Sequence, residues 1–513
     1  MFATFSSARA QETNSSWVGQ PGDNWGTSTN WNPAIVPNNA GTQTFNVTAG
    51  DGPGFPAINL DLDVTVSSLM FTVDQAVVFA VDHNLSSAAT DLSTAFADES
   101  GGGGGIIALA QANDVSVSLG NLANFSGGTL TSGNLLALAD PGRTSTIRFN
   151  GADIRTNGCD IQIGGGGAAL LDENGNDALR NIEHNLPVGT LAPAVCGRSF
   201  STTGSLINEG ELIVATTSFD DSPDADASFT VNGNFTGIGF PDDGTPGIVI
   251  IDAARADGKM VINGAPTNYD AAHKTLSKTW YNWTAGPGHI ATTQVFGGSK
   301  PLDIVTSQAA LQLFGANSGF RDRSGKDALR NLAVSARLLI GDRDFTSVNS
   351  FTCTNRLSIY GGSNFMVNGH LTINAGRFEI SSESGWSHSG AANVPDVPHE
   401  KSNVTVRGNL NLMSAVNSRF DIFDNATLSS VKIAGAAILN GTLDIRLLDG
   451  ANVSSSDTFK LLTASKITGQ FSNVKSGGRV TVLSFSDGSE LGTCLVTVTK
   501  TSVILSDFQP SAP

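Results

Sequence analysis

The chain has 513 residues, 40% of them apolar and only 15% charged, with 58 glycines and 18 prolines. Its 46 acids outnumber 29 lysines and arginines, for a formal net charge of −17. Such a surface repels nucleic acid and anionic lipid. No run approaches the roughly 18 apolar residues of a membrane span, and the length exceeds what one compact core needs.

Residues 1–10 end in Ala8-Arg9-Ala10, the small-x-small form of a signal-peptidase site, and are read as the stub of an export signal. Residues 11–44 carry Trp17, Trp25 and Trp31 among Gly, Pro and Asn. They are expected to cap an exposed sheet end, in preference to stacking on sugar rings. Residues 45–251 show short runs of period two, such as Leu60-Asp61-Leu62-Asp63-Val64-Thr65-Val66, the mark of strands with one buried face. The run Gly101–Gly105 reads as a flexible loop. Residues 252–310, with Trp280 and Trp283, break the rhythm and read as an insertion or as enlarged loops. The rhythm returns over 311–425, apart from a Ser-, Gly- and Pro-rich loop within 376–406. Residues 426–513 complete the chain as a closing module.

A phrase is stated twice. Asp177-Ala178-Leu179-Arg180-Asn181-Ile182 is echoed by Asp327-Ala328-Leu329-Arg330-Asn331-Leu332. Phe200 and Phe345 begin a second echo, and Phe229-Thr230-Val231-Asn232-Gly233 is answered by Phe365-Met366-Val367-Asn368-Gly369. Repetition of short strand-like segments marks a stacked array, in which each unit buries its face against its neighbours. The fold class predicted is all-β: a right-handed parallel β-helix with terminal caps and loop insertions. Coils of about twenty residues, stacked about 4.8 Å apart, would make a rod roughly 70–100 Å long. The repeated Asp-Ala-Leu-Arg-Asn phrase has the only helical character, enough for a single turn with its Asp near the start.

Chemistry is sparse. Cys159, Cys196, Cys353 and Cys494 form no CxxC pair; Cys159 and Cys196 pair only if their coils stack, and buried free thiols are the alternative. The seven histidines contain no HExxH spacing. His388, Asp396, His399 and Glu400 share one loop that reads as a solvated surface before it reads as a metal site. Asp172, Asn174 and Asp177 alternate oxygen donors around Gly175 and are weak calcium candidates. The second copy, Asp322 to Asp327, places Arg323 and Lys326 among those positions, which favours a turn. The acidic stretch Asp220, Asp221, Asp224 and Asp226 is a further weak candidate. Gly-x-Ser-x-Gly is missing, and Gly164–Gly167 lacks the Lys-Ser/Thr of a phosphate loop. Asp153, Arg155 and Asp160 lie close in sequence, but nothing selects them for catalysis, so no catalytic residue and no cofactor is assigned.

The opening Trp17, Asn24-Trp25 and Asn30-Trp31 with Pro33 and Pro37 resembles the start of secreted bacterial β-helix proteins. These carry autotransporter-type β-strand repeats or a Pro-Glu-Pro sorting signal. The block from Ile161 to Thr236 resembles their recurring unit. Ile438-Leu439-Asn440-Gly441-Thr442-Leu443 and Asp457-Thr458-Phe459-Lys460-Leu461-Leu462 resemble their closing module. The ending Gln509-Pro510-Ser511-Ala512-Pro513 departs from the sorted members in having no apolar anchor. The resemblance implies a right-handed parallel β-helix at the bacterial surface or outside the cell, and no defined activity. The function expected is a non-catalytic structural protein that self-associates end to end, with surface or matrix glycans as candidate partners. The alternative is a glycan-binding or glycan-cleaving β-helix.

Overall fold

In a computed structural model of the chain, residues 11–511 are described apart from 21, 41–42, 50–57, 72–75, 81–82, 93–104, 112, 217–223, 240–246, 278 and 385–398. Gly101–Gly104, Asp220, Asp221, His388 and Asp396 therefore lie outside the described residues. Two compact units are formed, Met1–Thr236 and Gly237–Pro513. Among the described residues the structure is all-β, and its helical content is one 3-10 turn, Ser28–Asn30.

In the first unit three short strands recur in order. Thr129–Leu130, Asn134–Ala139 and Ser145–Arg148 are followed by Thr156–Asn157, Asp160–Gly164 and Ala168–Leu171. Along this stretch strands pair in parallel with those three places along the chain. Asn134, Asp160, Thr190 and Glu211 thus stand side by side, as do Thr156, His184 and Ile207. Side chains alternate across a strand, so Leu135, Ala137, Ile161, Ile163, Leu191, Leu212 and Val214 all face inward and are buried. The turn beside this sheet holds a buried amide ladder. Asn157 Nδ2 donates to Asn185 Oδ1 and Asn185 Nδ2 to Asn208 Oδ1, each at 2.8 Å. The same amides donate to Cys159 O, Glu211 O and Gly210 O. Backbone carbonyls that a corner would orphan are satisfied in this way.

The Trp-rich segment lies at a sheet edge. Gln11–Trp17 pairs in parallel with Gln43–Ala49 and antiparallel with Trp31–Asn32. Trp17, Trp25 and Trp31 are all buried and meet edge to face, with centroids 5.0 and 4.5 Å apart. Trp25 Nε1 donates to Pro37 O and Trp31 Nε1 to Trp25 O. The rings pack on one another and offer no face to a sugar.

The second unit follows the same logic with longer strands. Ile248–Ala253, Trp280–Ala285, Thr306–Phe314, Val334–Gly341, Phe351–Gly361, Leu371–Ser384 and Leu410–Ile422 pair in parallel in that order. Residues 252–310 thus contribute strands in register with their neighbours, and their added length includes the hairpin Tyr269–Asp270 with Thr275–Leu276. A neighbouring layer runs Asp344–Ser347, Asn364–Val367, Asn403–Val406 and Ser430–Ile433. Phe345 and Phe365 stack there at 5.7 Å, as Phe200 and Phe229 stack at 5.8 Å in the first unit. Toward the C-terminus the pairing turns antiparallel. Glu490–Val498 pairs with Arg479–Ser484 and with Ser502–Pro510, which also pairs with Thr458–Thr463. These strands cover the edge of the parallel stack.

The repeated phrase forms a hydrogen-bonded turn, and the single helical turn expected there is not made. Ile182 N–H donates to Leu179 O and Leu332 N–H to Leu329 O. The Asp carboxylate bonds the amide two residues on, Leu179 in one copy and Leu329 in the other. Its other oxygen takes a buried arginine, Arg198 at 2.8 Å or Arg343 at 2.7 Å. Arg198 also donates to Pro193 O and Ala168 O, and Arg343 to Ser318 O. Asn181 donates to Asp153 and Asn331 to Asp303. The sequence echo is therefore a repeated structural knot: a turn locked to its neighbours by one buried guanidinium.

Candidate functional site

Asp153, Asp172 and Asp177, singled out for chemistry, serve that knot. Asp172 Oδ1 accepts from Asn174 N–H and Asn176 N–H, and Oδ2 from Asn176 Nδ2. Arg180 lies 3.6 Å away. Burial pushes the Asp172 carboxyl up, but those bonds and Arg180 outweigh it and hold it below its ordinary range. Asp177 is taken by Leu179 and Arg198, and Asn174 offers its Nδ2 to Glu173. The carboxylates of Asp172 and Asp177 are thus engaged by donors of the chain itself. No group of three or more His, Cys, Asp or Glu suited to a metal occurs among the described residues. Asp153 accepts from Arg155 and Asn181, and so belongs to the same knot. All four cysteines are buried and free, and burial raises the thiols of Cys159, Cys353 (to about 12) and Cys494 (to about 11).

The strongest concentration of charge lies elsewhere, on the outer face of the second unit's sheet. Four neighbouring strands carry the phrases Ser335-Ala336-Arg337-Leu338-Leu339-Ile340, Thr354-Asn355-Arg356-Leu357-Ser358-Ile359, Ala375-Gly376-Arg377-Phe378-Glu379-Ile380 and Asn417-Ser418-Arg419-Phe420-Asp421-Ile422. Each reads Arg, apolar, variable, Ile. The apolar residue and the Ile point inward and are buried, so the Arg and the variable residue share the outer face. Arg337, Arg356 and Arg377 stand side by side in register. The fourth copy is displaced by two positions: Asn417 lies beside Arg377, and Arg419 beside Glu379.

That displacement builds an ion cluster. Glu379 is only 1% exposed although it sits on the outer face. Arg356 Nη2 donates to its Oε2 at 2.7 Å, Ser358 Oγ at 2.6 Å and Tyr360 Oη at 3.3 Å. Arg377 and Arg419 stand 3.7 and 3.3 Å from Oε1. Arg419 Nε also bonds Asp421 Oδ1 at 2.6 Å, and its guanidinium lies over the Phe485 ring. Burial pushes Glu379 up, but Arg356, Arg419 and the Ser358 bond outweigh it and hold the carboxyl at about 2. Asp421 has one arginine to share with Glu379. Its burial dominates, and the carboxyl is pushed up to about 7.

These two shifts act on stability in opposite senses. Glu379 is held below its unfolded value, so its contribution is present above about pH 4.5 and is lost as pH falls toward 2. Asp421 is held above its unfolded value, so the folded chain keeps a proton between about pH 4 and 7 that the unfolded chain releases. Stability from Asp421 therefore falls as pH rises through that window. Melting temperatures against pH should show this decline in the natural chain and a flatter profile in Asp421→Asn. Parallel profiles would refute the assignment.

Beside the cluster runs an open groove of about 320 Å3, lined by Arg337, Asn355, Arg356, Gly376, Arg377 and Asn417. Gly376 has φ of 69°, and a Cβ there would fall 2.1 Å from Asn355 O, so the floor requires glycine. Arg337 lies over the Trp280 ring at 5.3 Å. The arrangement can hold anions. Glu379, wrapped in donors, is a poor base, and Asp421 is buried away from any ligand. No protein-family model matches this chain, and no curated protein matches it.

Proposed function

We propose that this protein is a non-catalytic scaffold of a bacterial surface or extracellular matrix, with the strands of each unit wound as a right-handed parallel β-solenoid. The observation that carries the reading is the pairing itself, in which strand after strand lies parallel to one a few places onward in the chain. A parallel return of this kind is right-handed in nearly all sheets. The knots at Asp177 and Asp327 supply structural roles for residues that would otherwise be candidates for chemistry. Stacked coils have sheet ends, and an end whose cap is displaced can pair with another subunit, so the self-association we propose is head to tail.

Electron microscopy of purified protein, with light scattering across a concentration series, tests this. Filaments or concentration-dependent growth are expected; uniformly short particles at every concentration refute assembly. Release of reducing sugar from a polysaccharide panel, abolished in Asp153→Asn, would refute the non-catalytic reading.

A further inference from the structure

The arginine groove gathers positive charge on an otherwise acidic chain. Stacked β-strands lie about 4.8 Å apart, so Arg337, Arg356 and Arg377 set three like charges at that interval. Like charges side by side on a sheet are destabilising, and in a chain of net charge −17 nothing in the composition favours them. Glu379 lies below them and bonds Arg356 most closely, and Asp421 is sequestered by Arg419. The side chains of Arg356 and Arg377 remain 24% and 38% exposed. Their heads are held, charged and reachable. That is the preorganisation an anion site requires.

We propose that this groove binds a linear anionic polysaccharide, laid across the strands so that successive acidic groups meet successive arginines. The direction follows from the ladder, because the regular interval runs across the strands. Asn417, which also lines the groove, carries an amide able to bond a sugar hydroxyl. None of the six lining residues is aromatic, so the groove lacks the platform on which nucleic-acid bases stack. The inference depends only on residues of the second unit and stands whether or not the protein forms filaments.

Binding of the full chain to fluorescently labelled polygalacturonate, dextran sulfate, neutral dextran and oligo-dT tests it, across a salt series. Polygalacturonate or dextran sulfate should bind, and the stronger of the two says whether the site prefers carboxylate or sulfate. With three contacts, affinity should fall about fourfold for each doubling of salt. The double variant Arg337→Gln/Arg377→Gln should lose at least tenfold in affinity and fall to a slope of roughly 1.6-fold per doubling. Arg377→Lys, which keeps the charge, should keep the natural slope, and an unchanged melting temperature of the double variant separates lost binding from lost folding. Arg407→Gln/Lys432→Gln removes two exposed charges of the same unit outside the groove and should bind as the natural chain does. No binding to either anionic glycan, equal binding by the double variant, equal loss in the control, or oligo-dT binding as tight as the glycans would each overturn the proposal.

Discussion

Replacing Glu379 by glutamine should destabilise the strands around it by about 3 kcal/mol, and by more than replacing any one of its arginines. The reason is the unequal count. One buried carboxylate faces Arg356, Arg377 and Arg419, so its loss leaves three guanidiniums with Asp421 as the remaining acid of the cluster. Breaking a buried pair by removing one partner costs about 3–5 kcal/mol, because the other charge stays desolvated. Glutamine retains the shape and can still accept from Ser358, which places the effect at the lower end. Arg356→Gln removes one donor of several and should cost about 1–2 kcal/mol. Hydrogen exchange of peptides covering 351–384 reads both values locally. An Arg356→Gln effect equal to that of Glu379→Gln would show that the carboxylate is not the hub.

The two buried arginines of the repeated knot should behave as a matched pair. Arg198→Met and Arg343→Met each leave an aspartate and buried carbonyls without their donor, Ala168 O in one unit and Ser318 O in the other. A loss of about 3 kcal/mol is expected in each, seen as faster exchange over residues 168–182 and 318–332 respectively. Asp177→Asn and Asp327→Asn keep the oxygen that accepts from Leu179 or Leu329, and should cost about half as much. The arginine is the more damaging loss because it serves several acceptors while the aspartate is part-exposed. Arginine variants with exchange within about twofold of the natural chain would mean that the knot is ornamental to stability.

Much of this architecture was legible in the residues. The period-two runs predicted strands, and the echo of Asp177 in Asp327 predicted a recurring unit. The structure makes that echo concrete as one turn-and-arginine device used twice. The basic partners were harder to find, since Arg198 and Arg343 lie outside the phrase. Helical character in Asp-Ala-Leu-Arg-Asn came from propensity alone. A tight turn wins because the Asp carboxylate and the buried arginine satisfy the backbone in place of a helical ladder.

The arginine groove left a signal that a search for acids, histidines and nucleophiles passes over. Arg337, Arg356, Arg377 and Arg419 each precede an apolar residue, a variable one and an isoleucine. Read as strands, the four phrases place every arginine on one face. They do not say which arginines adjoin.

What the sequence determined by itself is the alternation that turns apolar side chains inward, because strand geometry makes facing a local property of position. Lateral register was decided only in the folded chain. A single-residue irregularity after Ile373 and the displaced fourth phrase set Arg419 beside Glu379, leaving Arg337, Arg356 and Arg377 as an open row. Register depends on hydrogen bonds between segments far apart in the chain, and so no local pattern encodes which charges become neighbours.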